Sequence, residues 1–347
     1  MARVFLHIGA HKTATSYLQA MFDTNRALLA KHGIIYPDVG PNNAHHALAA
    51  PWLSTPEIPD SFFGDSRRDR PWRALIERYA NKPSNVFLSA ENFTRIRPER
   101  VNMVELSKHL EAFEEVCIIY TMRQQVDLVQ SLWMEVAKSF RVPMLRKYVE
   151  TAFDKRRGGG VPIDHSSIYA HLLEAFAPEQ IRLLDYNTMR SSKGGVVGTF
   201  LSLMGSDLNP ADLRPLASDA YANISPDPIA LYMATQITGQ KVPSASLVEL
   251  LKGAVRPAGS PPATLLTRSE YNKMRNKFIN SNSTLAEKVR AVQPEFAFDP
   301  GKVPRDLFCR DDLTATHWEQ AASAIFDAYH NVSGSDGSLF KRLLHRP

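Results

Sequence analysis

The stretch from Val4 to Gln19 constrains this chain more than any other. Val4 to Ile8 is an apolar run of strand length, and Gly9 ends it where the backbone must turn with no side chain in the way. Leu18, Phe22 and Leu29 then recur at helical spacing, with Thr13, Thr15 and Ser16 as cap candidates. A strand, a tight loop and a helix in that order aim backbone N–H groups and the positive end of the helix dipole at one point. Lys12 adds a cation there, so the loop reads as an anion site, and the neighbouring hydroxyls suggest a phosphate. It is not a Walker A loop, in which two glycines precede a Lys-Ser/Thr pair at fixed spacing. Here Lys12 follows Gly9 by only three residues and Ala14 comes next but one.

Alternation of apolar runs with helical patterns continues to about residue 205. Ile34–Tyr36 reads as a short extended segment after a helix stopped by Gly33, and Asn85–Ala90, Val116–Thr121 and Ile181–Tyr186 read as buried strands. Helices are expected over Trp72–Tyr79, Val101–Phe113, Val126–Val136 and Val196–Met204, and another starts at the capping residues Ser166 and Ser167. Pro51–Arg70 reads as a long loop or lid. The order predicts an α/β fold, a three-layer P-loop-type parallel sheet flanked by helices, with a mostly helical C-terminal part. The expected division is 1–205 as the α/β core and 206–347 as a mainly helical extension packed on the same domain. Parallel sheets bind ligands beyond the carboxyl ends of their strands, which is where Lys12, Glu91 and Arg123 all fall.

Phe5 to Gln19 resembles the 5′-phosphosulfate loop of the PAPS-dependent sulfotransferases, in particular bacterial, carbohydrate-sulfotransferase-like members. Those carry a pattern like His-Ile-Gly-x-x-Lys-Thr-Gly/Ala-Thr-Ser/Thr-x-Leu-Gln; His11 stands where Pro is usual, and Ala14 where Gly is frequent. Arg123, seven further residues, Ser131 and then an aromatic resemble the same family's 3′-phosphate signature. An arginine fork matches phosphate oxygens, and a helix-borne hydroxyl approaches from the side. Ser89-Ala90-Glu91-Asn92-Phe93 resembles its Ser-x-Glu-x-Leu/Phe segment. Asp219–Pro226 and Lys273–Val289 resemble its later Asn-x-Ser and closing-helix elements.

The resemblance implies PAPS as donor, PAP as product, no metal, and in-line transfer of a sulfuryl group to a hydroxyl or amine of a glycan, glycolipid or small metabolite. It implies Gly9, Ala10, His11, Lys12, Thr13, Ala14, Thr15 and Ser16 around the 5′-phosphosulfate, with Arg123 and Ser131 on the 3′-phosphate. Lys12 would be catalytic on the leaving phosphate oxygen and Glu91 the general base, with His11 or His7 in reserve. His45, His46 and Glu91 are the acceptor-side candidates.

Composition narrows the remaining classes. Of 347 residues, 44% are hydrophobic and 22% charged, as expected for a soluble globular chain. No apolar run approaches the roughly 18 residues of a membrane span, and the N-terminus lacks a signal-peptide pattern, so a cytoplasmic protein is expected. Cys117 and Cys309 fit a reducing compartment. A formal charge of +5 suits an anionic ligand. Arg67-Arg68-Asp69-Arg70 and Lys155-Arg156-Arg157 read as solvated loops with no nucleic-acid motif beside them. The expected partner is a hydroxyl-bearing acceptor, carbohydrate or lipid-linked among the options. Two other readings stand beside the sulfotransferase: an ATP-dependent P-loop kinase, disfavoured by the loop spacing, and a non-catalytic anion- or glycan-binding protein on the same fold.

Overall fold

The apolar runs pair into one parallel sheet of β1 (Arg3–His7), β2 (Ile34–Ile35), β3 (Asn85–Ser89), β4 (Glu115–Met122) and β5 (Ile181–Asp185). Their spatial order is β2-β3-β1-β4-β5. The computed structural model describes residues 1–54, 57–64, 67–97, 99–217, 225–299 and 301–332, so Asp219–Pro226 lies outside them except for its last two residues. The helices are α1 (Thr15–Thr24), α2 (Arg26–Lys31), α3 (Arg70–Tyr79), α4 (Met103–Leu110), α5 (Gln125–Ser139), α6 (Leu145–Lys155) and α7 (His165–Leu172). They continue with α8 (Tyr186–Ser191), α9 (Gly195–Leu203), α10 (Pro228–Ile237), α11 (Ala245–Val255), α12 (Arg268–Arg290) and α13 (Ala315–Val332).

Strand periodicity sorts the side chains onto two faces. Val4, Leu6, Val86, Leu88 and Tyr120 join the core with Trp72 of α3 and helices α4 and α7. Phe5, Phe87 and Ile119 face the other way, against Leu18 and Phe22 of α1 and Phe200 of α9. Both faces are therefore covered, which is why the strands read as near-continuous apolar runs. Burying a side chain such as Phe22 or Phe200 contributes roughly 1.5–3 kcal/mol. On the outer edge, Gln293 closes β5 with its side chain: Leu183 N–H donates to Oε1 at 3.1 Å, and Nε2 donates to the Leu183 carbonyl at 2.9 Å. That occupies the outward donor and acceptor of Leu183, at the middle of the edge strand.

The chain folds into two interleaved units rather than dividing at residues 205 and 206. The first comprises Met1–Gln124, Gly160–Ala222 and Ile279–Pro300, and the second Gln125–Gly159, Asn223–Phe278 and Gly301–Pro347. The reason is packing: Leu285 and Val289 at the end of α12 belong to the sheet core, so this late segment returns to the first unit. In the second unit α10 packs on α11 and α11 on α13. There the buried Arg256 lies 3.3 Å from Asp227 Oδ2 and 4.9 Å from the Phe308 ring centre. Among the described residues no helix is long and apolar enough to cross a membrane.

Strand order locates the crevice. From β1 the chain moves out to β2 and back to β3, then crosses to the other side of β1 to form β4 and β5. Connections thus diverge between β1 and β4, and ligands of open parallel sheets bind at such a switch point beyond the carboxyl ends.

Candidate functional site

The loop after β1 is wound to an unusual degree. Gly9, Lys12 and Ala14 all have left-handed backbone, with φ of 50°, 66° and 61°. At Lys12 and Ala14, which carry a Cβ, this costs about 1–2 kcal/mol each. Strain of this kind persists where surrounding structure over-determines it, and it clusters at functional sites. Thr13 does not cap α1 as its sequence context promised. Its hydroxyl turns back to donate to the Ala10 carbonyl at 2.7 Å and lies 3.4 Å from the Thr15 hydroxyl. Ala14 occupies the cap position instead, without a side-chain cap bond, and the first turn of α1 holds no acidic residue. The N-terminal amides of α1 are therefore left for an outside acceptor, which is the electrostatic requirement of an anion site. Ser16 is exposed on that first turn.

Arg123, at the end of β4, ties the loop down. Its Nη1 donates to the Lys12 carbonyl at 2.5 Å, and its guanidinium lies 5.3 Å from the Tyr186 ring centre. Its own carbonyl accepts from His165 Nε2–H at 2.8 Å, and His165 Nδ1 accepts from the Tyr120 hydroxyl at 2.7 Å. That pattern fixes one neutral tautomer of His165, and burial lowers its pKa to about 4. The loop from β1 and the arginine from β4 thus meet across the switch point. Ser131 is buried on α5, in the second unit.

Glu91 approaches the same loop from β3. It opens the 3-10 turn Glu91–Thr94 and is largely buried, with Gln19 Nε2 at 3.3 Å and His46 Nε2 at 3.9 Å from Oε2. Gly9 marks the point of convergence. A Cβ placed there would lie 3.3 Å from His7 Nε2, 3.3 Å from Thr15 Oγ1 and 3.4 Å from Glu91 Cγ. Any other residue would strain the left-handed φ and push these neighbours back by a few tenths of an ångström, which glycine avoids. Burial acts to raise the Glu91 pKa, but His11, then His46, its own backbone amide and His7 act the other way, and the net shift is downward. The carboxylate is ionised at neutral pH.

The histidines separate into two kinds. His7 is buried with Nδ1 3.0 Å from Ser89 Oγ and Nε2 3.4 Å from Thr121 Oγ1, and burial lowers its pKa to about 4. It is a strut beneath the loop rather than a reserve base. His45 is a strut too: Nε2–H donates to the Pro37 carbonyl at 2.9 Å and Nδ1 accepts from Ser89 N–H at 2.9 Å. Both ring nitrogens of this acceptor-side candidate are engaged inside the protein. His11 and His46 differ. His11 Nε2 and His46 Nδ1 are buried without a hydrogen-bond partner among the described residues, and so is Asn92 Nδ2. Burial lowers the His11 pKa to about 4, against the opposing pull of Glu91. Such unpaired polar atoms beside one carboxylate mark a place that a polar ligand or water completes.

Gly9, Ala10, His11, Lys12, Thr13, Ala14, Thr15, Glu91, His46 and Arg123 are thus brought together or stand in one loop. Sequence reasoning passed over Gln19, Ser89, Tyr186 and the Tyr120–His165 pair. Gln19 lay inside the quoted string and Tyr186 at a strand end, but the partners of all of them are remote in sequence. A cavity of about 670 Å³ lined by Arg3, Glu115 and Arg182 opens at the opposite, amino ends of the strands, away from this chemistry. Among the described residues no group of three or more His, Cys, Asp and Glu could hold a metal ion.

No protein-family model matches the chain. Nor does any curated protein match it. Among solved structures it is similar to a sulfotransferase from Alicyclobacillus acidocaldarius, at 16% identity and a TM-score of 0.40, covering 71% of this chain and 94% of that one. It is similar to mouse sulfotransferase SULT7A1 complexed with PAP, at 12% identity and 0.39, covering 85% and 89%. A sulfotransferase domain from the curacin biosynthetic pathway matches at 13% and 0.38, covering 80% and 96%.

Proposed function

We propose that this chain is a sulfotransferase that moves a sulfuryl group from PAPS to a hydroxyl or amine of a glycan, glycolipid or small metabolite. The observation that carries the reading is the left-handed loop around Lys12: it leads into an uncapped helix, is bound by Arg123 and packs its Gly9 against Glu91. The resemblance carried by the string from Phe5 to Gln19 is what supports PAPS as that anion. PAPS would bring an activated sulfuryl group on a phosphate anhydride. The loop amides, Lys12 and the hydroxyls of Thr15 and Ser16 would hold its 5′ end, with Thr13 shaping the loop through its bond to the Ala10 carbonyl. Arg123 is assigned to the 3′-phosphate, and Ser131 joins it on the sequence pattern alone.

Glu91, ionised at neutral pH, would take the proton of the acceptor hydroxyl or amine. Lys12 would offset negative charge developing on the donor's phosphate oxygen, an interaction that would strengthen toward the transition state. His11, neutral and with Nε2 unpaired among the described residues, is the second proton acceptor in the cluster. His46, 3.9 Å from Glu91 Oε2, is assigned to the acceptor.

Thermal unfolding with PAP, ADP and ATP–magnesium is the first test. PAP is expected to raise Tm well above the other two. Stabilisation by ATP–magnesium without PAP would favour a kinase, and PAP binding with no PAPS consumed across fractionated extract acceptors would favour a binding protein. Lys12→Ala is expected to lower kcat by at least about a hundredfold, the scale of a lost charge-stabilising donor. Activity kept within about threefold, under roughly 1 kcal/mol, removes Lys12 from the mechanism.

A further inference from the structure

Gln19 lies in the second turn of α1 and is buried. Its Nε2 is 3.3 Å from Glu91 Oε2, 3.2 Å from Ser89 Oγ and 3.3 Å from the Ser89 carbonyl oxygen. A carboxylate and a carbonyl can only accept, so the amide hydrogens point toward the end of β3 and the orientation of Gln19 is chemically fixed. Ser89 Oγ, accepting from Gln19, directs its own hydrogen to His7 Nδ1 at 3.0 Å. The remaining His7 hydrogen, on Nε2, is left for Thr121 Oγ1 at 3.4 Å. Gln19 Nε2 has two hydrogens for these three acceptors, so one serves Glu91 and the two Ser89 oxygens share the other; with that division donors and acceptors match along the chain, and Glu91 is its charged member.

A glutamate side chain has three rotatable bonds, and a catalytic carboxylate must be held in one place. We propose that Gln19 is the positioning residue of Glu91: it fixes Oε2 from the same helix whose first turn forms the donor site, so that donor loop and base keep one geometry. Gln19 stands four residues after Thr15, one helical turn below the loop on the same face. The inference rests on the reading of Glu91 as base. His11, most strongly, then His46 and His7 also act on Glu91, but His11 Nε2 has no hydrogen-bond partner among the described residues, His46 stands 3.9 Å away, and His7 is already committed to Ser89 and Thr121. A donated hydrogen bond favours the ionised carboxylate, so its loss has a signature beyond stability.

The test compares Gln19→Met, which keeps length and removes the donor, with Gln19→Glu, which keeps shape and sets a like charge opposite Glu91. Carboxyl ¹³C titration of Glu91 in the free protein and with saturating PAP requires no turnover. The midpoint is expected to rise by about one pH unit in Gln19→Met and further in Gln19→Glu, with the Kd for PAP unchanged within about threefold. PAPS turnover is expected to show kcat lowered about tenfold or more, KM for PAPS unchanged, and the acid limb of the kcat profile moved upward with the titration. An unmoved Glu91 midpoint, or a lowered kcat with an unmoved acid limb, overturns the inference. If Gln19→Met does not fold, Gln19→Glu carries the same comparison. Glu91→Gln separates the two claims: full activity in that variant removes Glu91 as base, whereas lost activity there with an unmoved Gln19→Met titration removes only the positioning role.

Discussion

At the scale of residues the loop sets two neighbours against each other. Gly9 and Ala14 share left-handed backbone, yet only Gly9 is crowded by His7, Thr15 and Glu91. Gly9→Ala adds both a strained φ and three contacts at 3.3–3.4 Å, so it is expected to lose about 1–3 kcal/mol of stability and most PAP affinity. Ala14→Gly relieves strain but frees the unfolded chain, and the two terms nearly cancel, leaving a gain under about 1 kcal/mol. Urea unfolding with PAP titration checks both; opposite signs for the two variants are the expected result, and equal losses would mean that crowding at Gly9 is irrelevant. The positions of Lys12 and Glu91 at the carboxyl ends of β1 and β3 were legible, because a cation after Gly9 and an acid after a buried strand are local patterns. His45 was not. Its two partners stand at Pro37 and Ser89, and only the folded chain reveals that they use up both ring nitrogens.

Elements were legible where burial alone decides them. The five strands match their apolar runs to within a residue or two at most ends, since both faces of the sheet are covered. Helix ends were less legible, because caps answer to contacts elsewhere. The expected serine cap of α7 is instead Asp164, whose side chain accepts from Ser166 N–H. The first helix stops at Asn25, whose Nδ2 donates to Met21 and Arg214 carbonyls at 2.9 and 3.0 Å, while its Oδ1 accepts from Arg214 N–H at 2.7 Å. A partner so distant in sequence leaves no local trace. The missing cap of α1 belongs to the same scale and yields a prediction of opposed signs. Ser16→Asp places a carboxylate in the exposed first turn, where the helix dipole favours it by about 0.3–1 kcal/mol. Stability without nucleotide is expected to rise while PAP affinity falls about tenfold, since the anion meets a like charge. A variant that binds PAP as tightly as wild type would move the anion site away from α1.

On the scale of the whole molecule, the sequence order suggested a core followed by an extension, but the units interleave because α12 crosses from one to the other. Hydrophobic pattern marks which face of a helix is buried, not which unit buries it. The first unit also concentrates a pH dependence that only the assembled fold creates. His7, His45 and His165 each use both ring nitrogens as neutral rings, and burial lowers each pKa to about 4. Unfolded histidine titrates near 6.5. Between those values the unfolded chain binds protons that the folded one refuses, so stability rises with pH across that window. Their full contribution is present above about 6.5 and is lost as pH falls toward about 4. Each histidine adds a slope of at most about 1.4 kcal/mol per pH unit in that range. Urea unfolding from pH 7.5 to 4.5 is expected to show this fall, and His45→Gln, which keeps a donor for the Pro37 carbonyl, is expected to flatten it by about one proton. The lowered Glu91 pKa acts only further down, as its carboxylate gains a proton below the ordinary glutamate range, so it does not mask the histidine window. A wild-type stability that stays level over that range would mean the three rings accept protons without unfolding, and their hydrogen bonds would then have to be reassigned.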